Sequence, residues 1–243
     1  MINIDHIDIV TSHKCNNNCP WYIDKFIHSD TREISLNDIH KFLKNMPANA
    51  GTEILLLGGE PTMLSVIKLI GLARIIKKYG YSPIMSTNGI NKEKILAILP
   101  YYDWIRVTVY NDEQIDYWRP HKDKINIKLS GDSSLTIDKY YWFRNATKDF
   151  KRKSISMYFT PDWQELCTDE KMWDYISAAD WQINGSYAYT FVDNIRFKKY
   201  LPNKTNVILE PTVPKLYPTG NYNCTWEHEE MDDYLHIFNS EKR

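Results

Sequence analysis

Two rhythms of apolar and polar positions alternate over roughly the first 180 residues. Short apolar runs of strand type stand at Ile7–Thr11, Glu53–Leu57, Pro83–Ser86, Trp104–Val109, Ile125–Leu129 and Ser154–Phe159. Between them apolar residues recur three and four apart, the helical period. Ile39, Phe42, Leu43 and Met46 follow Ser35-Leu-Asn-Asp, with Ser35 or Asn37 as the predicted N-cap. The stretch Ser65 to Gly80 closes on Lys77, Lys78 and Gly80, which suit the negative end of a helix and a left-handed C-cap. Further helices are predicted over 92–99, 113–118, 136–145 and 169–179. Such alternation predicts an α/β chain with a parallel sheet, as a barrel or an open doubly wound sheet. In both, ligand chemistry gathers at the C-terminal ends of the strands.

After Trp181 the alternation stops. One more strand is expected over 186–196, followed by a tail punctuated by Pro202, Pro211, Pro214 and Pro218, a pattern of loops and edge strands. The chain therefore reads as a main domain, 1–180, and a C-terminal strand and loop appendage, 181–243, expected to cover the open side of the sheet.

Composition narrows the function. Lys and Arg number 30 against 31 Asp and Glu, a formal charge of -1, so no whole-protein field exists to hold a polyanion. No window approaches the roughly 20 apolar residues that span a bilayer. The start, Met1-Ile-Asn-Ile-Asp-His, lacks a cationic flank followed by an apolar run. A cytoplasmic protein without a membrane partner is expected. Four cysteines, Cys15, Cys19, Cys167 and Cys224, are too few for a disulfide scaffold, and in a reducing compartment the close pair points to metal or redox chemistry.

The candidate chemistry lies at three successive strand ends. The first strand runs into Ser12-His-Lys-Cys15-Asn-Asn-Asn-Cys19-Pro-Trp-Tyr22, a loop able to wrap thiolates around an inorganic cluster. The second ends in Gly58-Gly59-Glu60-Pro61, which removes two side chains and then offers one carboxylate to an ammonium group. The third ends in Ser86-Thr-Asn-Gly89. Each has a plainer reading. The glycines could form only a tight turn with Glu60 in a helix's first turn, and Asn-Gly is a turn signal anywhere. A zinc half-site at Cys15 and Cys19 ranks lower, because neither His13 nor His28 has a supporting Cys-x2-Cys or His-x3-His partner.

Together these motifs resemble the radical S-adenosylmethionine (radical SAM) superfamily over about residues 5 to 160. The resemblance implies a partial (β/α)6 barrel of parallel strands with a C-terminal strand and loop appendage. It implies a 4Fe-4S cluster on a Cys-x3-Cys-x2-Cys loop, matched here by Cys15 and Cys19. It also implies S-adenosylmethionine, with Trp21 beside the adenine and its amine at Gly58, Gly59 and Glu60. Ser86 and Asn88 are implied neighbours of the cofactor, Thr108 or Asn111 candidates for its ribose, and Lys128 a candidate for its carboxylate. The implied activity is reductive cleavage of the cofactor to a 5′-deoxyadenosyl radical, which abstracts hydrogen from an unidentified small metabolite, nucleotide or peptide. An electron donor such as flavodoxin or ferredoxin would supply the cluster.

One departure stands out: Tyr22 occupies the place of the third cysteine. Family loops often read Cys-x3-Cys-Pro-aromatic-Cys-Tyr, so the text resembles that pattern with one cysteine missing between Trp21 and Tyr22. A phenol does not replace a thiolate at a soft iron site. A degenerate relative, a ligand not represented in the sequence, or recruitment of Cys224 would each account for it. Cys167 reads as a buried small apolar residue. Two alternatives to the radical enzyme follow: a binding or regulatory protein that keeps the fold without a cluster, and an S-adenosylmethionine enzyme using polar transfer chemistry.

Overall fold

A computed structural model of the chain describes residues 6–18, 32–46, 51–131, 136–157, 215–218 and 222–223. The elements, in order, are β1 (His6–Val10), α1 (Leu36–Asn45), β2 (Glu53–Leu57), α2 (Val66–Lys78), β3 (Ser82–Thr87), α3 (Lys92–Ile98) and β4 (Trp104–Thr108). There follow α4 (Asp112–Trp118), β5 (Ile125–Gly131), α5 (Ile137–Ala146), β6 (Arg152–Met157), β7 (Lys215–Leu216) and β8 (Tyr222–Asn223). The strands form one sheet in the order β6-β5-β4-β3-β2-β1-β7-β8. The six strands β1 to β6 run parallel with helices interleaved, and the sheet does not close, so the fold is the α/β partial barrel expected. The predicted helix over 169–179 and strand over 186–196 lie outside the described residues. Among the described residues, no helix is long and apolar enough to cross a membrane.

The chain divides into two compact units. One takes Met1–Thr108, Asp123–Asn126 and Thr212–Cys224, the other Val109–Lys122, Ile127–Pro211 and Thr225–Arg243. In the first, β1 to β4 keep an unbroken register: Ile9 pairs with Leu56, Leu56 with Met85, and Met85 with Ile105. All four are fully buried, and the row on the other face, Asp8, Leu55, Ile84 and Trp104, is buried too, as parallel strands covered on both faces require. Ser35 is the N-cap of α1: its hydroxyl accepts from the Asp38 N–H at 3.0 Å and donates to the Asp38 carboxylate at 2.6 Å. The helix turns Ile39, Phe42 and Leu43 inward, and Met46, read from the period as its last apolar residue, instead ends it in extended backbone.

Ser65 caps α2, which buries Leu69, Leu72, Ala73 and Ile76, and Gly80 follows at a φ of +82°. Helix α3 stops at Ile98 and passes into a 3-10 turn, Leu99–Tyr101, because Pro100 has no N–H to continue the ladder. Beyond β1 the sheet continues into β7, far along the chain: Asp8 pairs with Lys215 and Ile9 with Leu216, in parallel. Strand β8 then returns antiparallel to β7.

In the second unit, Asn111 caps α4 by accepting from the Gln114 N–H at 2.9 Å. Trp142 of α5 donates to Asp112 at 3.0 Å, tying α5 to the start of α4. Arg119 bridges Asp116 and Asp149, and Lys122 reaches Asp149 at 3.3 Å. The hydrogen bond from Arg119 holds the Asp149 carboxyl below its ordinary range against the opposing effect of burial. A carboxylate with a lowered folded pKa stabilises above its unfolded pKa and loses that contribution as pH falls through the folded value. Asp149→Asn is therefore expected to lower stability at pH 7 by about 0.2–1 kcal/mol, the range for a solvent-screened pair. The deficit should vanish at strongly acidic pH, where Asp149 is itself neutral. Thermal melts across pH test this; a deficit independent of pH would assign the effect to packing.

Candidate functional site

The ends of β1, β2 and β3 converge, and backbone contact determines how. Past Val10, Thr11 still pairs with β2, its N–H and its hydroxyl both donating to the Leu57 carbonyl at 2.8 and 2.9 Å. Residues 12–14 then run alongside the Gly-Gly turn: the Gly59 N–H donates to the Ser12 carbonyl and the Glu60 N–H to the Lys14 carbonyl, both at 2.7 Å. The approach is so close that a Cβ on Gly59 would stand 2.1 Å from the Lys14 carbonyl oxygen, and one on Gly58 2.5 Å from that of Ser12. Gly58 also sits at a φ of +125°, which side chains avoid. The space the two glycines leave is filled by the cysteine loop's own backbone.

Glu60 stands at the focus. It is 2% exposed and caps the 3-10 turn Pro61–Met63. Its Oε1 accepts from the Thr62 N–H at 3.0 Å, the Thr62 hydroxyl at 2.6 Å and the Thr87 hydroxyl at 2.6 Å. Its Oε2 accepts from the Asn88 N–H at 2.7 Å. A further tier steadies Thr62, whose hydroxyl accepts from the Asn91 amide at 2.8 Å and whose carbonyl accepts from Lys94 at 2.5 Å. Among the described residues no lysine or arginine pairs with Glu60. A buried carboxylate held by neutral donors, with acceptor capacity left on Oε2, fits an ammonium ligand.

Asn88 links this carboxylate to the cysteine loop. Its N–H donates to Glu60, its side-chain amide to the Asn16 side chain at 2.7 Å, and its Oδ1 accepts from the Ile90 N–H at 3.0 Å. Cys15 lies half-buried in the same loop, its sulfur accepting from the Asn17 N–H at 3.4 Å. Burial pushes the Cys15 thiol above its ordinary value; the Asn17 N–H opposes this, the Glu60 charge adds to it, and the Asn16 N–H and Asn88 side chain oppose it. Donors aimed at a loop sulfur are the surroundings an iron-bound thiolate uses, so Cys15 fits a cluster ligand. Among the described residues no three His, Cys, Asp or Glu stand together as a metal site. Cys19, Trp21 and Tyr22, with Cys167 and Cys224, lie outside the described residues.

Of the other expected residues, Ser86 and Thr108 are half-buried on β3 and β4 in the first unit. In the second, Asn111 serves as the cap of α4, and Lys128 is buried on β5, its carbonyl accepting from the Val109 N–H at 2.8 Å. Thr62 and Thr87 were not singled out from the sequence, yet they donate three of the four bonds to Glu60. Each is a buried hydroxyl beside a motif residue, and such neighbours are the signal that would have found them.

No family model matches the chain, and no curated protein matches it in sequence. Solved structures do match. A structure of native anSMEcpe with bound AdoMet and Kp18Cys peptide gives a TM-score of 0.64 at 12% identity, over 93% of this chain and 75% of the other. Native anSMEcpe with bound AdoMet gives 0.58 at 12% identity, over 90% and 74%. His6-tagged anSMEcpe with bound AdoMet gives 0.51 at 16% identity, over 64% and 52%. That protein is a radical SAM anaerobic sulfatase maturase. This chain thus has a radical SAM-like fold.

Gly59→Ala is expected to destabilise the protein by about 3 kcal/mol or more, because a backbone-to-backbone approach cannot yield as a flexible side chain would. It should also raise protease cleavage between Ser12 and Asn18. Gly80→Ala, where a Cβ meets nothing within 4 Å but φ is +82°, provides the comparison, with only backbone strain to bear. Equal losses in the two variants would remove the packing role assigned to Gly59.

Proposed function

We propose that the chain is a radical S-adenosylmethionine enzyme, binding the cofactor amine on Glu60 and a 4Fe-4S cluster on the loop of Cys15 and Cys19. The observation that carries this reading is the buried Glu60 carboxylate, without a cation among the described residues and bonded through Asn88 to the loop that bears Cys15. When bound, the cluster supplies the electron that cleaves the cofactor. The chain's own residues do the positioning. Thr62, Thr87 and Asn88 fix the carboxylate that orients the amine, and the Asn17 N–H donates to the Cys15 sulfur. Ser86 and Asn88 are proposed as neighbours of the cofactor, Thr108 or Asn111 for its ribose, Lys128 for its carboxylate and Trp21 for the adenine. A flavodoxin or ferredoxin is the proposed electron donor. A peptide is the favoured substrate class, since anSMEcpe is known with a bound peptide.

Tyr22 favours a second reading, a protein that keeps the fold and cofactor pocket without a cluster. Two measurements separate and test the readings. Glu60→Gln should weaken S-adenosylmethionine binding by about 1–3 kcal/mol in anaerobic calorimetry, the range for a charge-assisted bond lost at a buried site; unchanged affinity removes the amine site from Glu60. Iron and sulfide after anaerobic reconstitution should rise toward a stoichiometric cluster when Cys is inserted between Trp21 and Tyr22, together with reductive cleavage of the cofactor. No cluster with or without the insertion would establish the cluster-free reading.

A further inference from the structure

We propose that Asn91 is a positioning residue for the cofactor amine: by donating to the Thr62 hydroxyl it commits that hydroxyl's hydrogen to Glu60 and leaves Oε2 as the oxygen open to the ligand. The proposal deepens the reading above and rests on it for the ligand, while the direction of the hydrogen bonds stands on geometry alone. Asn91 is half-buried and is the N-cap residue of α3, its carbonyl accepting from the Ile95 N–H at 3.0 Å. An asparagine at that position ordinarily turns its side-chain oxygen onto the free N–H groups of the helix. Here the side chain makes no such bond. Its amide nitrogen instead crosses to the turn after β2, 2.8 Å from the Thr62 hydroxyl and 3.3 Å from the Thr62 carbonyl.

Chemistry fixes which way each bond runs. A carbonyl oxygen only accepts, so the Asn91 atom that faces the Thr62 carbonyl is its nitrogen and not its oxygen. The same nitrogen faces the Thr62 hydroxyl, which therefore accepts from it. A hydroxyl has one hydrogen. With an Asn91 hydrogen occupying one side of Thr62 Oγ1, that hydrogen turns to Glu60 Oε1, 2.6 Å away. Thr87 is directed in the same way by backbone: its hydroxyl accepts from the Gly89 N–H at 3.2 Å and donates to Oε1 at 2.6 Å. Oε1 thus receives three hydrogens, counting the Thr62 N–H at 3.0 Å, and Oε2 receives one, from the Asn88 N–H.

An oxygen with three donors is filled, so an ammonium is aimed at Oε2, the side of the carboxylate that Asn88 joins to the cysteine loop. Were the Thr62 hydroxyl free to turn, a nearby backbone carbonyl could take its hydrogen. Oxygen lone pairs would then face each other across the Thr62 to Glu60 contact, and the buried carboxylate would shift to avoid them. Lys94 steadies the frame, its ammonium on the Thr62 and Leu64 carbonyls at 2.5 and 2.9 Å, but those bonds leave the hydroxyl undirected. Among the described side chains, Asn91 is the one that donates to it.

Variants at position 91 of the full chain test this. Asn91→Asp replaces the donor by a second acceptor, which competes with Glu60 for the Thr62 hydrogen, whereas Asn91→Ala removes the donor and leaves the hydrogen with Glu60. In anaerobic calorimetry S-adenosylmethionine affinity should fall about tenfold in Asn91→Asp, the scale of a hydrogen bond to a charged group, and less in Asn91→Ala. A helix cap gives the opposite order, since Asp caps as well as Asn and Ala does not. Simple attraction between a new negative charge and a cationic ligand gives tighter binding in Asn91→Asp. Thr62→Val should lose about as much as Asn91→Asp, and the two together no more than either. Without ligand, the 13C carboxyl resonance of Glu60, identified by its absence from Glu60→Gln, should move in Asn91→Asp and not when Thr62 is already Val. A greater loss in Asn91→Ala than in Asn91→Asp, a loss that adds to that of Thr62→Val, or an unmoved carboxyl resonance overturns the proposal. Glu60→Gln keeps the two readings apart. Unchanged affinity there removes the amine site itself, whereas a loss there without one in Asn91→Asp overturns the role of Asn91 alone.

Discussion

Two backbone hydrogen bonds, from Gly59 to Ser12 and from Glu60 to Lys14, set the geometry on which the rest of the site depends. They prolong the β1 to β2 pairing past the ends of both strands, so the cysteine loop leaves the sheet along the turn that carries the carboxylate. Sulfur and carboxylate are then neighbours by construction of the main chain. Side-chain bonding through Asn88 adds to a position already defined. The requirement falls on two residues with no side chain, and it is steric before it is chemical.

The polar groups around Glu60 follow a different logic. They are neutral hydroxyls and amides, which orient a carboxylate without neutralising it. Arg106 is the complementary case, a cation kept over the Trp104 ring without a described acid. Both are charged groups of opposite sign in enclosed surroundings, without a described counter-charge. A protein holding such charges is less stable than one with apolar residues in their place.

The strands were legible because parallel strands buried on both faces read as continuous apolar runs, and Ile54 to Leu56 could hardly be anything else. Ser35, read with Asn37 as a candidate cap, was legible for a local reason, a hydroxyl facing the N–H three residues on. Strand β7 was not: two residues carry no period, and its partner is chosen by tertiary contact. At the site, Glu60 and Asn88 stood out as motif residues, whereas Thr87 did not, because a threonine at a strand end is also an ordinary β-former. That the backbone of His13 and Lys14 lies against Gly59 was not legible, because the approach is set by tertiary contact between two strand ends.

Strand β7 gives the protein a particular folding order. Residues near position 8 and position 215 share a ladder, so one edge of β1 stays unpaired until nearly the whole chain is available. Contacts of such sequence separation form late and slowly, since a long loop must close before they yield anything. During synthesis the strand that leads into Cys15 is thus an open template, apolar at Ile7, Ile9 and Val10, exposed to pairing with other chains. Expression slow enough for the tail to find this edge, or a chaperone that covers it, becomes a condition for recovering the protein intact.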